Sequence, residues 1–157
     1  MIIRIILSIF ATLLPFNAFS MKDGLNKAVE IAAQANNIQS ERLKVAAENI
    51  ANQNSTSDIP GGDPYRRKII FVENKYDKNK KTHLLRVKKY DEDKRPFEIK
   101  YDPSHPAADS NGYVKLPNIK LEVERSDASE AQRAYEANLG VIDMSRSMMQ
   151  KSLDIIK

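Results

Sequence analysis

A chain of 157 residues with 41% hydrophobic and 29% charged residues is long enough for one domain with a modest core, or for an elongated unit that carries an insert. The absence of cysteine excludes a disulfide framework and thiolate chemistry. The mean hydropathy of -0.52 indicates an extended, well-solvated surface, and a net charge of +4 is too small to specify a partner by itself.

The first twenty residues have the outline of a secretory signal peptide. Arg4 precedes an apolar run at Ile5–Leu14, and the triplet Ala18–Ser20 closes the segment. The run is short for a membrane-spanning helix. The alternative is that translation begins at Met21, directly after the expected cleavage point, and that the upstream residues come from a misassigned start.

Helical spacing dominates the next segment, Gly24–Asn54. Polar residues recur three, four or seven positions apart and therefore share one side of a helix: Asn26, Glu30, Asn37, Glu41, Lys44, Glu48 and Asn52. The opposite side is apolar and rich in alanine: Leu25, Ala28, Ala32, Ala35, Leu43, Ala46 and Ile50. This one-sided pattern fits a core helix of a globular bundle or, alternatively, an interface shared within an assembly.

The middle of the chain is predicted to be a small, mostly antiparallel β region. A dense turn signal at Ser57–Pro64 ends the first helix, because proline fixes φ and the paired glycines permit conformations closed to other residues. Beyond it, β-forming and alternating residues predict strands at residues 67–73, 82–90, 97–101 and 113–116, with a further alternating segment at residues 119–124.

Positive charge is concentrated between Arg66 and Lys100, where thirteen Lys or Arg stand against six Asp or Glu, a local net charge of +7. Interleaved aromatic residues would allow a nucleic-acid-binding surface. Acidic residues interrupt every basic run, however, and this favours solvated β-hairpins that contact acidic neighbours.

Helical spacing returns at Ser126–Lys157, where Ser126 or Asp127 can cap the helix. A first apolar seam consists of Tyr135, Leu139, Ile142, Met149, Leu153 and Ile156. A second seam consists of Ala134, Ala137, Val141, Met144, Met148 and Ile155. One seam can pack on the first helix, so the other needs a partner outside the chain. We therefore predict an α+β fold in which two long terminal helices pair as an elongated coiled-coil-like unit, with the β insert between them.

Residues suited to catalysis are sparse. His83 lies in a predicted strand, and His105 lies in a loop with Asp109 but without a second His or Cys, so an exposed loop histidine is favoured over a metal site. The sequence contains no glycine-rich phosphate loop and no nucleophile elbow. These observations favour a non-enzymatic protein without a cofactor or small-molecule substrate.

Three separated motifs resemble those of bacterial flagellar rod and hook proteins. They occupy Ser40–Leu43 with Ala47–Asn54 and Pro60–Lys68, then Tyr101–Asn118, then Glu130–Asn138. The middle motif is similar to that of proximal rod proteins within this family. The resemblance extends from about Met21 to Lys157. Two departures are Ser55, where the family commonly has threonine, and residues 126–129, which lack the usual apolar pair.

The resemblance implies a structural subunit of the proximal flagellar rod, in the basal body. Such subunits are exported by the flagellar type III apparatus and assemble into a helical tube that transmits torque. The implied partners are further copies, other rod proteins, membrane-ring junction proteins and the export apparatus, with no nucleic acid. The candidate subunit-interface residues are Leu43, Ala47, Asn49, Ile50, Asn52, Asn54, Arg133, Tyr135, Glu136, Asn138, Ile142 and Met149.

Rod proteins generally carry no cleaved signal for the general secretory (Sec) pathway, so the resemblance favours a start at Met21. It also divides the chain into an extension at residues 1–20, axial core helices at residues 21–56 and 126–157, and a β-rich insert at residues 57–125. The alternative is a Sec-exported periplasmic helical adaptor, supported only by the signal-like start. A nucleic-acid-binding module is a third hypothesis.

Overall fold

The computed structural model describes the backbone of residues 2–156 and the side chains of residues 23–154. Its elements are α1 (Ile2–Ala51), β1 (Lys68–Asp77), β2 (Thr82–Glu92), β3 (Glu98–Tyr101), β4 (Tyr113–Leu116) and α2 (Leu121–Ile156). The predicted α+β fold is confirmed, because the terminal helices pack together and the strands lie between them in sequence. The predictions of a signal-like extension and of a misassigned start concern residues 1–20, whose side chains lie outside the described part.

The two helices run antiparallel. Arg42 of α1 lies 3.3 Å from Glu130 of α2, whereas the later residue Asn49 bonds the earlier residue Glu124 at 2.9 Å. Two residues of the predicted alanine-rich side of α1, Ala32 and Ala46, are buried, and so are Ile38 and Val45, which the predicted side does not include. The buried apolar residues of the two helices are Ala32, Ile38, Val45, Ala46, Ala131 and Ile142. Three alanines and three larger aliphatic residues thus form the apolar core of the helix pair.

The start of α2 differs from the sequence prediction. The helix begins at Leu121, so the predicted strand at residues 119–124 is wrong, and so is the predicted helix start at Ser126. Glu122 and Glu124 occupy the first turn, where carboxylates suit the positive end of the helix dipole. Three alternating apolar positions are too few to separate strand from helix, and the buried contacts of Glu124 decide in favour of helix.

β1 and β2 form an antiparallel hairpin from the pair Lys68↔Glu92 to the pair Asp77↔Thr82, longer than the predicted strands. A register shift lies between Phe71 and Val72. The hairpin lies along α1 and is joined to three glutamates on its polar side: Lys80 pairs with Glu30, the Tyr90 hydroxyl donates to Glu41 at 2.9 Å, and Lys68 pairs with Glu48 at 3.0 Å. The expectation that a basic hairpin contacts acidic neighbours is confirmed.

β3 and β4 form a second antiparallel pair, whose Tyr101 and Tyr113 rings meet edge to face at 5.2 Å. The segment that follows α1 holds this pair in place. The Gly61 amide donates to the Ala107 carbonyl at 3.1 Å, and Lys115 pairs with Asp63 at 2.7 Å. The β insert thus consists of two hairpin-like units with different attachments.

A glycine substitution tests the geometry of the loop before β4. Gly112 has φ +80°, and a Cβ there would lie 2.9 Å from Cε2 of Tyr101 and 3.0 Å from Cβ of Pro103. We expect Gly112→Ala to lower the free energy of unfolding by about 1 to 3 kcal/mol, measured by thermal denaturation. The matched control is Gly140→Ala in α2, where a Cβ meets nothing within 4 Å, and where alanine is expected to stabilise the helix by about 1 kcal/mol. Equal melting temperatures for the two variants would contradict the prediction.

Candidate subunit interface and the junction behind it

Asn49, near the end of α1, is fully buried and holds three parts of the chain together. Its amide nitrogen donates to the Lys68 carbonyl and to Oε2 of Glu124, both at 2.9 Å. Its oxygen accepts from the Lys68 amide at 2.9 Å and from the Tyr65 hydroxyl at 3.2 Å. Burial raises the pKa of Tyr65, so this hydroxyl remains a donor. All four hydrogen-bonding positions of the Asn49 side chain are therefore used within the chain.

Glu124 supplies a buried negative charge in the first turn of α2, with 1% of the residue exposed. Besides the bond from Asn49, it accepts from Nε of Arg67 at 2.6 Å. Arg67 also lies 3.3 Å from Asp127 and 3.7 Å from Asp93. A buried carboxylate is tolerated when it is paired and hydrogen-bonded. Arg67 and Glu124 therefore fasten the start of α2 to the base of the hairpin.

A second layer of polar contacts surrounds Arg67. The Asn118 side chain accepts from the Arg67 amide at 2.9 Å and donates to the Asp93 carbonyl at 3.0 Å. Arg66 donates to the carbonyls of Asp93 and Arg95 at 3.1 and 3.0 Å. The hydrogen bond from the Arg95 side chain lowers the pKa of Asp93 below its usual value, so this carboxylate stays charged beside Arg67. We call the cluster of Asn49, Tyr65, Arg67, Asp93, Asn118 and Glu124 the polar junction.

The sequence predicted only part of this cluster. Asn49, Tyr65, Arg67 and Asn118 lie within the motifs that carry the family resemblance, but their spacing does not reveal that they meet. The predicted strand at residues 119–124 gives Glu124 no place in the cluster, whereas the structure puts it in the first turn of α2. A charged residue at the start of an amphipathic helix usually faces solvent. Glu124 is buried because it pairs with Arg67, which is 57 residues away in sequence.

The two apolar seams of α2 have different environments. In the first seam, Ile142 is 9% exposed against α1, and Tyr135 and Met149 are half-buried. In the second seam, Val141, Met144 and Met148 are 45%, 65% and 51% exposed. Leu139 and Leu153 of the first seam are 41% and 49% exposed, so within the described side chains this seam packs on α1 only in part, while Val141, Met144 and Met148 of the second seam face outward.

The predicted interface residues fall into three classes of exposure. Two are buried and make contacts within the chain: Asn49 and Ile142. Six are half-buried: Leu43, Ile50, Asn52, Tyr135, Asn138 and Met149. Four are exposed and accessible to another chain: Ala47, Asn54, Arg133 and Glu136. Their contacts with other subunits stay a prediction.

His105 lies in the loop between β3 and β4. His105 uses Nδ1 to accept from the Ala107 amide at 3.1 Å and so organises its own loop. No group of three or more His, Asp or Glu among the described residues is placed to hold a metal ion. Among those same residues, no helix is both long and apolar enough to cross a membrane.

Comparisons with known proteins agree on one family. A family model described as the C-terminal region of the flagellar basal body rod FlgEFG proteins matches residues 110–155, which contain β4 and nearly all of α2. The chain is 43% identical over 135 residues to the flagellar basal-body rod protein FlgC of Agrobacterium fabrum, covering 86% of this chain and 97% of the relative. The chain belongs to the FlgC family of flagellar basal-body rod proteins.

FlgC proteins of other bacteria match the chain as well. Identity is 41% over 151 residues to FlgC of Borreliella burgdorferi, with 85% of this chain and 99% of the relative covered. It is 38% over 126 residues to FlgC of Salmonella typhimurium, with 80% and 93% covered. The resemblance drawn from the sequence motifs is confirmed. This FlgC-family chain is a structural, non-enzymatic subunit of the proximal rod in the flagellar basal body, where it assembles with other rod components.

Proposed function

We propose that this FlgC-family subunit is one building block of a helical tube that transmits torque from the flagellar motor. The observation that carries the proposal is the outward seam of α2, because Val141, Met144 and Met148 remain 45%, 65% and 51% exposed on one side of a helix. Full burial of a fully exposed side chain of this size is favourable by about 1.5 to 3 kcal/mol, so covering each of these partly exposed side chains contributes about half of that. Contiguous exposed apolar residues of this kind mark contact surfaces between proteins.

The polar junction supports the torque-bearing part of the proposal. Torque can pass from the helix pair to the β insert only if the two are joined stiffly. Asn49 and Glu124 are buried at the point where α1, β1 and α2 meet, and their hydrogen bonds fix the relative positions of these elements. Buried polar networks that are fully satisfied make a structure rigid.

The proposed neighbours are further copies of the chain and other rod proteins in heterologous contacts, with membrane-ring junction proteins at one end of the rod. A helical assembly requires the two contacting surfaces to differ, and this chain offers distinct outward faces on α1, α2 and the hairpin. The flagellar export apparatus is the proposed route out of the cell. The proposal involves no cofactor, nucleic acid or small-molecule substrate.

Deletion of the gene tests the proposal. We expect the deletion strain to be non-motile and to contain basal bodies without complete rods, as seen by electron microscopy, and we expect the intact gene to restore both. A motile deletion strain with complete rods would refute the proposal. Export that depends on the Sec pathway, and not on the flagellar exporter, would instead favour the periplasmic adaptor.

A further inference from the structure

The sequence contains a single Asn-Gly pair, Asn111–Gly112, which lies in the loop before β4. An asparagine side chain can react with the backbone nitrogen of the next residue, and glycine favours this reaction because it has no side chain to hinder the approach. Asn111 is exposed, and its side chain makes no hydrogen bond with any described residue. The pair is therefore the position at which this sequence is most open to spontaneous deamidation.

The fold requires the glycine of this pair. Gly112 has φ +80°, and a Cβ there would lie 2.9 Å from Cε2 of Tyr101, so another residue would be strained by its conformation and by its neighbour. The Gly112 carbonyl also accepts from the Asp102 amide at 2.9 Å and so ties the loop to the end of β3. The reactive pair is thus a consequence of the loop geometry.

Asp109 holds the backbone nitrogen of Gly112 and the amides on both sides of it. The Gly112 amide donates to the Asp109 carbonyl at 3.0 Å. Oδ1 of Asp109 accepts from the amides of Asn111 and Tyr113, both at 2.9 Å. The Asp109 amide donates to the Tyr113 carbonyl, also at 2.9 Å. Aspartate commonly binds backbone amides in this way at the first position of a turn. We call these four bonds the Asp109 turn.

Deamidation requires this turn to open. The Gly112 nitrogen must lose its proton and attack Cγ of Asn111, after which the bond from Cγ to Nδ2 breaks and ammonia leaves with that proton. Water then opens the resulting succinimide ring to aspartate, or to isoaspartate with a longer backbone. In the closed turn the hydrogen of the buried Gly112 amide is bonded to the Asp109 carbonyl, and the backbone is fixed on both sides of it. The nitrogen therefore becomes available only during local opening.

We infer that the Asp109 turn protects the Asn111–Gly112 pair from deamidation in the folded chain, and that opening of the turn makes Asn111 a site of spontaneous modification. Isoaspartate at position 111 would displace Tyr113 and break the pair Tyr101↔Tyr113, at the loop end of the β3–β4 sheet. The inference concerns the chemistry of the chain itself and goes beyond the proposed rod function.

Peptide mass mapping of the purified chain tests the inference. The chain is incubated at mildly alkaline pH, in buffer and in urea, and the mass increase from amide to carboxyl is followed at Asn111. We expect the reaction to be roughly tenfold slower in buffer than in urea, because the turn must first open. Asp109→Ala in buffer, with its helices verified by circular dichroism, should react at nearly the rate in urea. Equal rates for the wild type in buffer and urea, or an Asp109→Ala chain as slow as the wild type, would overturn the inference.

The matched control is Asp102→Ala in the same loop. The Asp102 carboxylate accepts from the Ser104 hydroxyl at 2.9 Å and lies 3.6 Å from Lys100, but it bonds no amide of the reactive pair among the described residues. This variant should deamidate at the wild-type rate, and a rate equal to that of Asp109→Ala would refute the specific role of Asp109.

Hydrogen exchange in the wild type tests the same turn if Asp109→Ala does not fold. The Gly112 amide should exchange roughly tenfold more slowly than the amide of the exposed Ser110, as measured by nuclear magnetic resonance. Equally fast exchange of the two amides would show that the turn is open and would overturn the inference. None of these measurements involves assembly, so their failure would leave the proposed rod function standing.

Discussion

Replacing Asn49 with alanine is expected to lower the free energy of unfolding by about 2 to 4 kcal/mol, because buried polar partners lose their hydrogen bonds. The substitution removes both bonds to the Lys68 backbone and the bond to Glu124, which is 1% exposed and cannot turn to solvent. Since stabilities of small proteins are about 5 to 15 kcal/mol in total, this loss is a large fraction. Urea unfolding of the purified chain measures it.

The matched control is Asn37→Ala, which makes the same change on an exposed side of the same helix. Its stability is expected to stay within about 0.5 kcal/mol of the wild type. In cells that lack the chromosomal gene, Asn37→Ala should restore motility and Asn49→Ala should not. If the two variants unfolded at the same urea concentration, the polar junction would have no stabilising role.

Aspartate substitutions at two adjacent residues of α2 are expected to have different effects, one on the stability of the chain and the other on motility. Ile142 packs on α1 and is 9% exposed, whereas Val141 on the outward seam is 45% exposed. Ile142→Asp buries an unpaired charge and removes core packing, and we expect a loss of about 3 to 5 kcal/mol and no stable helix pair. Val141→Asp should change the stability of the isolated chain by only about 0.5 kcal/mol, yet it should abolish motility by placing a charge in the subunit contact.

Urea unfolding followed by circular dichroism measures the stability of each variant, and swimming in soft agar measures its motility. The decisive comparison is between stability and motility for each variant. A Val141→Asp strain that swims normally would show that the outward seam stays uncovered in the rod. A stable Ile142→Asp chain would show that the antiparallel helix pair does not depend on the burial of Ile142.

Helical periodicity predicted the two long helices, because burial of one side of a helix imposes spacings of three and four on the apolar residues. It described the first seam of α2 only in part, since Leu139 and Leu153 are exposed. It also predicted that α2 needs a second neighbour. The same reasoning misplaced the start of α2. At residues 119–124 the apolar pattern is short, and the fold is decided by the bonds of Glu124 to Arg67 and Asn49, which lie far away in sequence.

The polar residues of the candidate interface show a second limit of prediction from sequence periodicity. Asn49 and Asn54 are alike in the sequence, since both are asparagines near the end of the predicted amphipathic helix, but Asn49 is buried within α1, whereas Asn54 lies beyond the end of α1 at Ala51 and is exposed. Sequence spacing places a residue on a side of a helix. It does not say whether the partner on that side belongs to the same chain, here Lys68 and Glu124, or to another.

The three side-chain bonds from the hairpin to glutamates of α1, which lie beside the two bonds of Asn49 to the Lys68 backbone, also influence how the subunit resists being pulled apart. They join α1 at Glu30, Glu41 and Glu48, so they are spread over 18 residues, or about 27 Å of helix. A force directed along α1 loads all three bonds together, as in shear. A force that lifts the tip near Lys80 loads them one after another, as in peeling. The hairpin should therefore resist sliding along α1 better than it resists lifting, because sliding loads these bonds together and lifting loads them one at a time.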